Sequence, residues 1–223
     1  MVLQPELIAS IASIAGLSLY VSLSAVFIAS CLALPLGAWL AQSQFSGRSA
    51  AIAVLNALMG LPPVVVGLIV YLLLSRAGPL GSLGILFTPN AMIVAQTVLV
   101  FPIITALTLQ VMQDEWREYE EQLKSLNASR WQCIKALLWD ARFSLATAVL
   151  AGFGRAISEV GAVMIVGGNI DGVTRLMTTA IALETSKGDL QLALALGFVL
   201  IAIVVAVNVI AQTIKSLAMK RHG

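Results

Sequence analysis

The chain reads as an all-α, polytopic membrane helix bundle with about five transmembrane helices, and two observations carry that reading. Hydrophobic residues make up 59% of its 223 positions and charged residues 11%, whereas a soluble domain carries about 25% charged residues. Charge is also absent from long stretches. None lies between Glu6 and Arg48, Arg48 and Arg76, Arg76 and Asp114, or Asp189 and Lys215. A bilayer core takes roughly 20 apolar residues of helix, so each gap can hold a span. The net charge of +2 is too small to suggest a nucleic-acid partner.

The spacing predicts spans at about 17–41, 51–75, 90–112, 143–167 and 190–214, each near the length of a tilted helix. The first follows no basic n-region, and no small-residue cleavage site closes a short apolar core, so it is expected to be a retained span. A six-span alternative needs two helices within 7–47, which leaves almost nothing for a turn. Pro35, Pro62, Pro63 and Pro102 fall inside spans, where neighbours can re-satisfy the freed carbonyls and a kinked helix can line a path. Residues 77–89, with Gly78, Pro79, Gly81, Gly84 and Pro89, read as an outer loop or a re-entrant turn.

Orientation follows from the basic residues in the connections. With the N-terminus outside and the C-terminus inside, nine are cytoplasmic: Arg48, Arg117, Lys124, Arg130, Lys135, Arg142, Lys215, Lys220 and Arg221. Three are outside: Arg76, Arg175 and Lys187. No internal repeat of the kind found in many secondary transporters is evident. A second copy of the chain is therefore expected to supply the other half of a pathway.

The dense charged run from Asp114 to Arg142 holds apolar residues at Tyr119, Leu123, Leu126, Trp131, Ile134, Leu137 and Leu138. These are helical steps interrupted in the middle. Asn127 tolerates the left-handed conformation that ends a helix, and Ser129 with Gln132 makes an S-x-x-Q capping box for the next one. Two short helices meeting at a corner are expected. By spacing alone they suit a headgroup-layer anchor or a docking knob for a cytoplasmic partner.

Arg155 and Glu159 are one helical turn apart. Counting from Phe143 at ~1.5 Å per residue puts Arg155 about 18 Å along the fourth span, near mid-membrane. Charges there must pair or face a polar cavity. Three readings compete: a neutral pair that locks the bundle, an Arg155 charge shown to a passing anion and moderated by Glu159, or a pair that breaks between two transport states. Sparse polar groups such as Thr97, Thr105, Ser158 and Asn169 suit brief contact with a moving ion or helix packing. Gly152, Gly154 and Gly161 read first as packing positions.

Absent motifs narrow the class. No G-x-x-x-x-G-K-[ST] phosphate loop occurs. The sole histidine, His222, sits in a polar tail, so histidine metal sites and Ser-His catalysis find no support and the chain is not expected to be an enzyme. Cys31 and Cys133 fall in different environments, so no disulfide and no metal site is expected.

The stretch Glu121-Gln122-Leu123-Lys124-Ser125-Leu126-Asn127-Ala128-Ser129-Arg130-Trp131 resembles the EAA loop of ABC importer permeases. Glu121 matches the motif acid, and Leu126-Asn127-Ala128-Ser129 matches the common L-G-A-S with Asn in place of Gly. The distal I-x-L-P has become Leu137-Leu138-Trp139-Asp140, without the proline. Leu61-Pro62-Pro63-Val64-Val65-Val66-Gly67-Leu68, Ser75-Arg76-Ala77-Gly78-Pro79-Leu80-Gly81, Gly154-Arg155-Ala156-Ile157-Ser158-Glu159-Val160-Gly161-Ala162 and Gly167-Gly168-Asn169-Ile170 resemble the molybdate, sulfate and tungstate branch. Leu86-Phe87-Thr88-Pro89-Asn90-Ala91-Met92-Ile93 and Trp139-Asp140-Ala141-Arg142 are similar to its tungstate members.

This resemblance, over about residues 51–197, implies a type I ABC importer permease fold. Residues 1–223 would form a single transmembrane permease domain with its coupling loop at about 113–142. It implies a multi-pass protein of the cytoplasmic (inner) membrane that imports tungstate as a homodimer. ATP-binding cassette subunits holding ATP and magnesium would lie inside, and an extracytoplasmic oxyanion-binding protein outside. Glu121, Leu126, Asn127, Ala128, Ser129, Arg130 and Trp131 would couple to the ATPase. No cofactor is expected in this chain itself. Outer segments 76–90 and 168–189 would receive the binding protein, with Asn169 and Asp171 as contacts or loop caps. Molybdate or sulfate is the alternative cargo. An ATP-independent carrier or channel, or a scaffold without transport, is the alternative class.

Overall fold

The computed structural model describes the backbone of residues 5–222 and the side chains of residues 9–129 and 131–217. The side chains of Arg130, Lys220, Arg221 and His222 therefore lie outside the described residues. Helices α1 (Pro5–Gln42), α2 (Arg48–Met59), α3 (Pro63–Leu74), α4 (Pro89–Ser125), α5 (Arg130–Asp140), α6 (Arg142–Ile157), α7 (Gly161–Gly167), α8 (Met177–Lys187) and α9 (Leu190–His222) follow in order, with a 3₁₀ turn at Gly81–Leu83. The fold is all-helical, with no strand among the described residues.

Three helical stretches are long and apolar enough to cross a membrane singly: Ala9–Gln42, Pro89–Ser125 and Leu190–Leu217. Two bent pairs, α2 with α3 and α5 with α6, bring the number to five if each makes one span. The predicted span at 51–75 is divided at Pro62, and the one at 143–167 is interrupted after Ile157. α2 and α3 meet at 99°. Proline disfavours the helical conformation in the residue before it, so Pro62 is extended (φ −64°, ψ 122°) and Pro63 begins α3 at its first position. The fourth predicted span stops at Ile157 and resumes as α7 at Gly161.

The chain forms two compact units. One comprises Met1–Ser24, Pro62–Gln96 and Gly154–Gly223. Within it α3 lies against α7 at glycine contacts: a Cβ on Gly67 would sit 2.7 Å from the Ala162 Cα, and one on Gly161 would sit 2.9 Å from Val64 Cγ2. α8 packs on α9 and on the start of α1 through Met177, Ala180 and Leu196 with Ile11, Ile14 and Ala15. The Met177 N–H donates to Ser18 Oγ at 2.9 Å, tying the start of α8 to α1.

The other unit comprises Ala25–Leu61 and Thr97–Phe153. Its core joins Ala38 and Leu40 of α1, Leu55 of α2, Leu109 and Met112 of α4, Ile134 and Leu137 of α5, and Leu145 of α6. Arg48 donates through Nε to the Leu40 carbonyl at 3.0 Å, satisfying a terminal acceptor of α1 with a cation at the negative end of its dipole.

Candidate functional site

The corner forms where local signals place it. The Asn127 N–H donates to the Lys124 carbonyl and the Ala128 N–H to the Leu123 carbonyl. With Asn127 at φ 51°, these two bonds close α4 in the Schellman pattern. Ser129 then caps α5: its N–H donates to Gln132 Oε1 at 2.8 Å, and the Gln132 N–H donates to Ser129 Oγ at 3.4 Å. This is the reciprocal capping box read from the sequence.

Behind the corner, Cys133, Ile134 and Leu137 are buried. In front of it, Leu126 is 75% and Trp131 63% exposed, and Glu121, Asn127 and Ser129 are exposed beside a half-buried Ala128. The corner presents an apolar tip ringed by polar groups, on a base anchored in the unit's core. An open cleft of about 220 Å³ runs between the arms, lined by Tyr119, Leu123, Leu126, Leu137 and Asp140 among others.

Acidic groups crowd the α4 arm. Burial pushes the Glu115 carboxyl above its ordinary range, and the neighbouring charges of Asp140, Glu118 and Asp114 add to the rise. The Tyr119 hydroxyl is pushed up by the Asp140 charge first, then by that of Glu118. The ion pairs Glu120–Lys124 (2.7 Å) and Asp114–Arg117 (4.0 Å) are exposed and contribute little to stability.

The second predicted group sits in the other unit, at the break between α6 and α7. Arg155 Nη1 donates to Glu159 Oε2 at 2.5 Å, with Glu159 3% and Arg155 32% exposed. Glu159 Oε1 also accepts the Ala162 N–H at 3.0 Å, and the Glu159 carbonyl accepts the Thr178 hydroxyl at 2.8 Å. On the α6 side, Gln96 Nε2 donates to the Ala156 carbonyl at 2.9 Å. Polar groups freed by unwinding inside a membrane must be satisfied by protein, and Gln96, Glu159 and Thr178 do so here. Sequence reasoning missed Gln96 and Thr178; the available signal was a lone glutamine and a threonine pair inside apolar stretches.

Other predicted polar positions spend their hydrogen bonds within the chain. Thr105 donates back to the Phe101 carbonyl of its own helix at 2.7 Å, Thr97 to the Ala25 carbonyl at 3.4 Å, and Ser158 to the Arg155 carbonyl at 3.2 Å. Asn169 takes φ 49°, and its buried Oδ1 lacks a partner among the described residues. Asp171 pairs with Arg175 at 2.8 Å, as a loop cap does. Gly152 makes a close approach to the Ile104 side chain, but Gly154 faces open space among the described residues. The close approach expected of Gly154 is not made within this chain.

Residues 33–220 match the family model described as the binding-protein-dependent transport system inner membrane component. Among similar proteins, a probable anion ABC transporter permease protein of Haloferax volcanii is 40% identical over 216 residues, 95% of this chain and 93% of that protein. The tungstate uptake system permease protein TupB of Peptoclostridium acidaminophilum is 44% identical over 199 residues, covering 89% and 87% of the two chains. TupB of Campylobacter jejuni is 41% identical over 157 residues, covering 70% and 66%.

Proposed function

Because this chain belongs to the binding-protein-dependent transport system inner membrane component family, we propose that it is the permease subunit of an ABC importer that carries tungstate across the inner membrane. The observation that carries the cargo is 44% identity over 199 residues to a tungstate uptake permease. Two copies of the chain enclose the path, with the N-terminus outside and the C-terminus inside. The chain itself forms one permease domain and holds no cofactor. ATP and magnesium are bound by cytoplasmic ATPase subunits, and an extracytoplasmic binding protein delivers the oxyanion to the outer loops.

In this reading Glu121, Leu126, Asn127, Ala128 and Ser129 form the knob that enters the ATPase, with Arg130 and Trp131 opening α5 behind it. What supports the assignment is an exposed apolar tip on a rigid, doubly capped corner. Movement of the ATPase pair is passed from that tip into α4 and α6, opening the path to one side and then the other. Arg155 offers positive charge with a third of its surface free, and Glu159 limits its hold on a dianion. An ion held too tightly would not leave.

The test is accumulation of tungsten and molybdenum, at nanomolar supply, in cells with and without the chain. Selective loss of tungsten is expected. Loss of molybdenum alone transfers the cargo to molybdate. If neither changes with expression confirmed, the tungstate reading is wrong. Glu121→Ala, and deletion of residues 126–129, are expected to abolish co-purification with the ATPase; an ATP-independent carrier would keep transporting after both.

A further inference from the structure

Helix α5 has three faces. Cys133, Ile134 and Leu137 form the one buried in the core. Gln132, Ala136 and Asp140 form a second, of which Ala136 and Asp140 line the cleft. At 100° per residue, Trp131, Lys135 and Trp139 fall together on the third, and Arg142, the first residue of α6, lays its guanidinium over Trp139. Trp131 is 63% and Trp139 68% exposed. The cations lie over the rings: Lys135 Nζ is 5.9 Å from the Trp131 ring centre, and the Arg142 guanidinium carbon is 4.8 Å from that of Trp139 and 4.5 Å from that of Phe143. Among the described residues neither Lys135 nor Arg142 pairs with a carboxylate.

The backbone fixes what this face meets. A single residue, Ala141, separates α5 from α6, and the apolar run of α6 begins at Phe143. The two helices meet at 75°, so α5, roughly 16 Å long, climbs only about 4 Å along the α6 axis. A helix joined that closely to a membrane-crossing segment and turned across it lies along the boundary. Tryptophans at that level put apolar rings toward the acyl chains and indole N–H groups toward water. Lys135 and Arg142, the latter donating one N–H to the Trp139 carbonyl at 2.6 Å, have no carboxylate partner among the described residues that would compete with lipid phosphates.

We infer that the Trp131, Lys135 and Trp139 face of α5, with Arg142 at the start of α6, lies in the cytoplasmic headgroup layer and binds anionic lipid phosphates. The inference rests on the permease reading, which has α6 crossing the membrane and the corner on the cytoplasmic side. It divides the labour of the corner: the tip at Leu126 and Asn127 meets the ATPase, and the aromatic face of α5 rides on lipid. Anionic lipid then holds the base of the corner while the ATPase moves its tip.

The test uses the assembled permease and ATPase complex in vesicles of phosphatidylcholine, with or without phosphatidylglycerol, carrying acyl chains brominated near the headgroup. The readout is tryptophan quenching. Trp131→Phe and Trp139→Phe are each expected to remove a quenchable component. Lys135→Gln/Arg142→Gln is expected to keep the quenching and lose its increase with phosphatidylglycerol. Emission from these positions that bromine leaves untouched, whether it responds to removal of the ATPase or only to aqueous acrylamide, overturns the inference in favour of a protein-covered or a solvated face. Co-purification of the ATPase and tungsten uptake are followed in Trp139→Phe and in Lys135→Gln/Arg142→Gln, which lie outside the residues assigned to ATPase contact. If both persist while the lipid effect is missing, the inference alone falls; if both are lost in the wild-type preparation, the permease reading falls with it.

Discussion

Glu159 carries three attachments: the Arg155 guanidinium, the Ala162 N–H and, through its own carbonyl, the Thr178 hydroxyl. Its carboxylate is 3% exposed while Arg155 is 32% exposed, so the two charges are not equally dependent on each other. Glu159→Gln leaves a guanidinium that is only partly enclosed by protein, at a cost of about 2 kcal/mol, below the roughly 3–5 kcal/mol of breaking a pair buried on both sides. Arg155→Gln strands a buried carboxylate and is expected to cost more, and Arg155→Gln/Glu159→Gln less than the sum of the two. Thermal unfolding of the three purified variants gives the order, and a larger loss for Glu159→Gln than for Arg155→Gln would contradict it. The pairing was legible in the sequence because i,i+4 spacing is local. The break beside it was not: it is held by hydrogen bonds spanning 60 and 19 residues, from Gln96 and Thr178, and no local pattern encodes them.

At the scale of elements, the corner between α4 and α5 was readable to the residue, since Asn127, Ser129 and Gln132 close it with their own backbone and side chains. The bend between α2 and α3 was half legible: Pro62 and Pro63 were noted, but as kinks inside one span rather than a turn of 99°. Helix contact was legible only as a class of residue. Gly67→Ala puts a Cβ 2.7 Å from the Ala162 Cα, backbone that cannot swing aside, so α3 and α7 must separate at a cost of about 1–3 kcal/mol. Gly154→Ala meets open space and is expected to stabilise helix α6 by about 1 kcal/mol. Unfolding midpoints of the two variants should move in opposite directions. A fall for both would mean that another chain covers Gly154.

For the whole molecule, the absence of charge made the spans visible, while the count of membrane-crossing segments depended on how broken helices are joined. The apolar window of α4 is 67% buried and that of α9 only 11%, so α4 belongs to the interior and α9 offers most of its length to lipid or to a second copy. The proposed orientation is tested with single cysteines in a Cys31→Ser, Cys133→Ser background. A cysteine at Asp171 should react with an impermeant maleimide added outside, and one at Asn127 only after the membrane is opened. The reverse result would invert the molecule.

Helix α4 runs unbroken for 37 residues with Pro102 inside it, and that makes it a lever. Its ring removes the backbone bond to the Val98 carbonyl, leaving a natural fulcrum. From there the arm to Ser125 is roughly 35 Å and the arm to Pro89 about 20 Å. Tilting about this point sends the two ends in opposite directions, the Pro89 end by little more than half the stroke of the Ser125 end. A push on the Ser125 end is thereby returned at the Pro89 end reversed in sense and reduced in size.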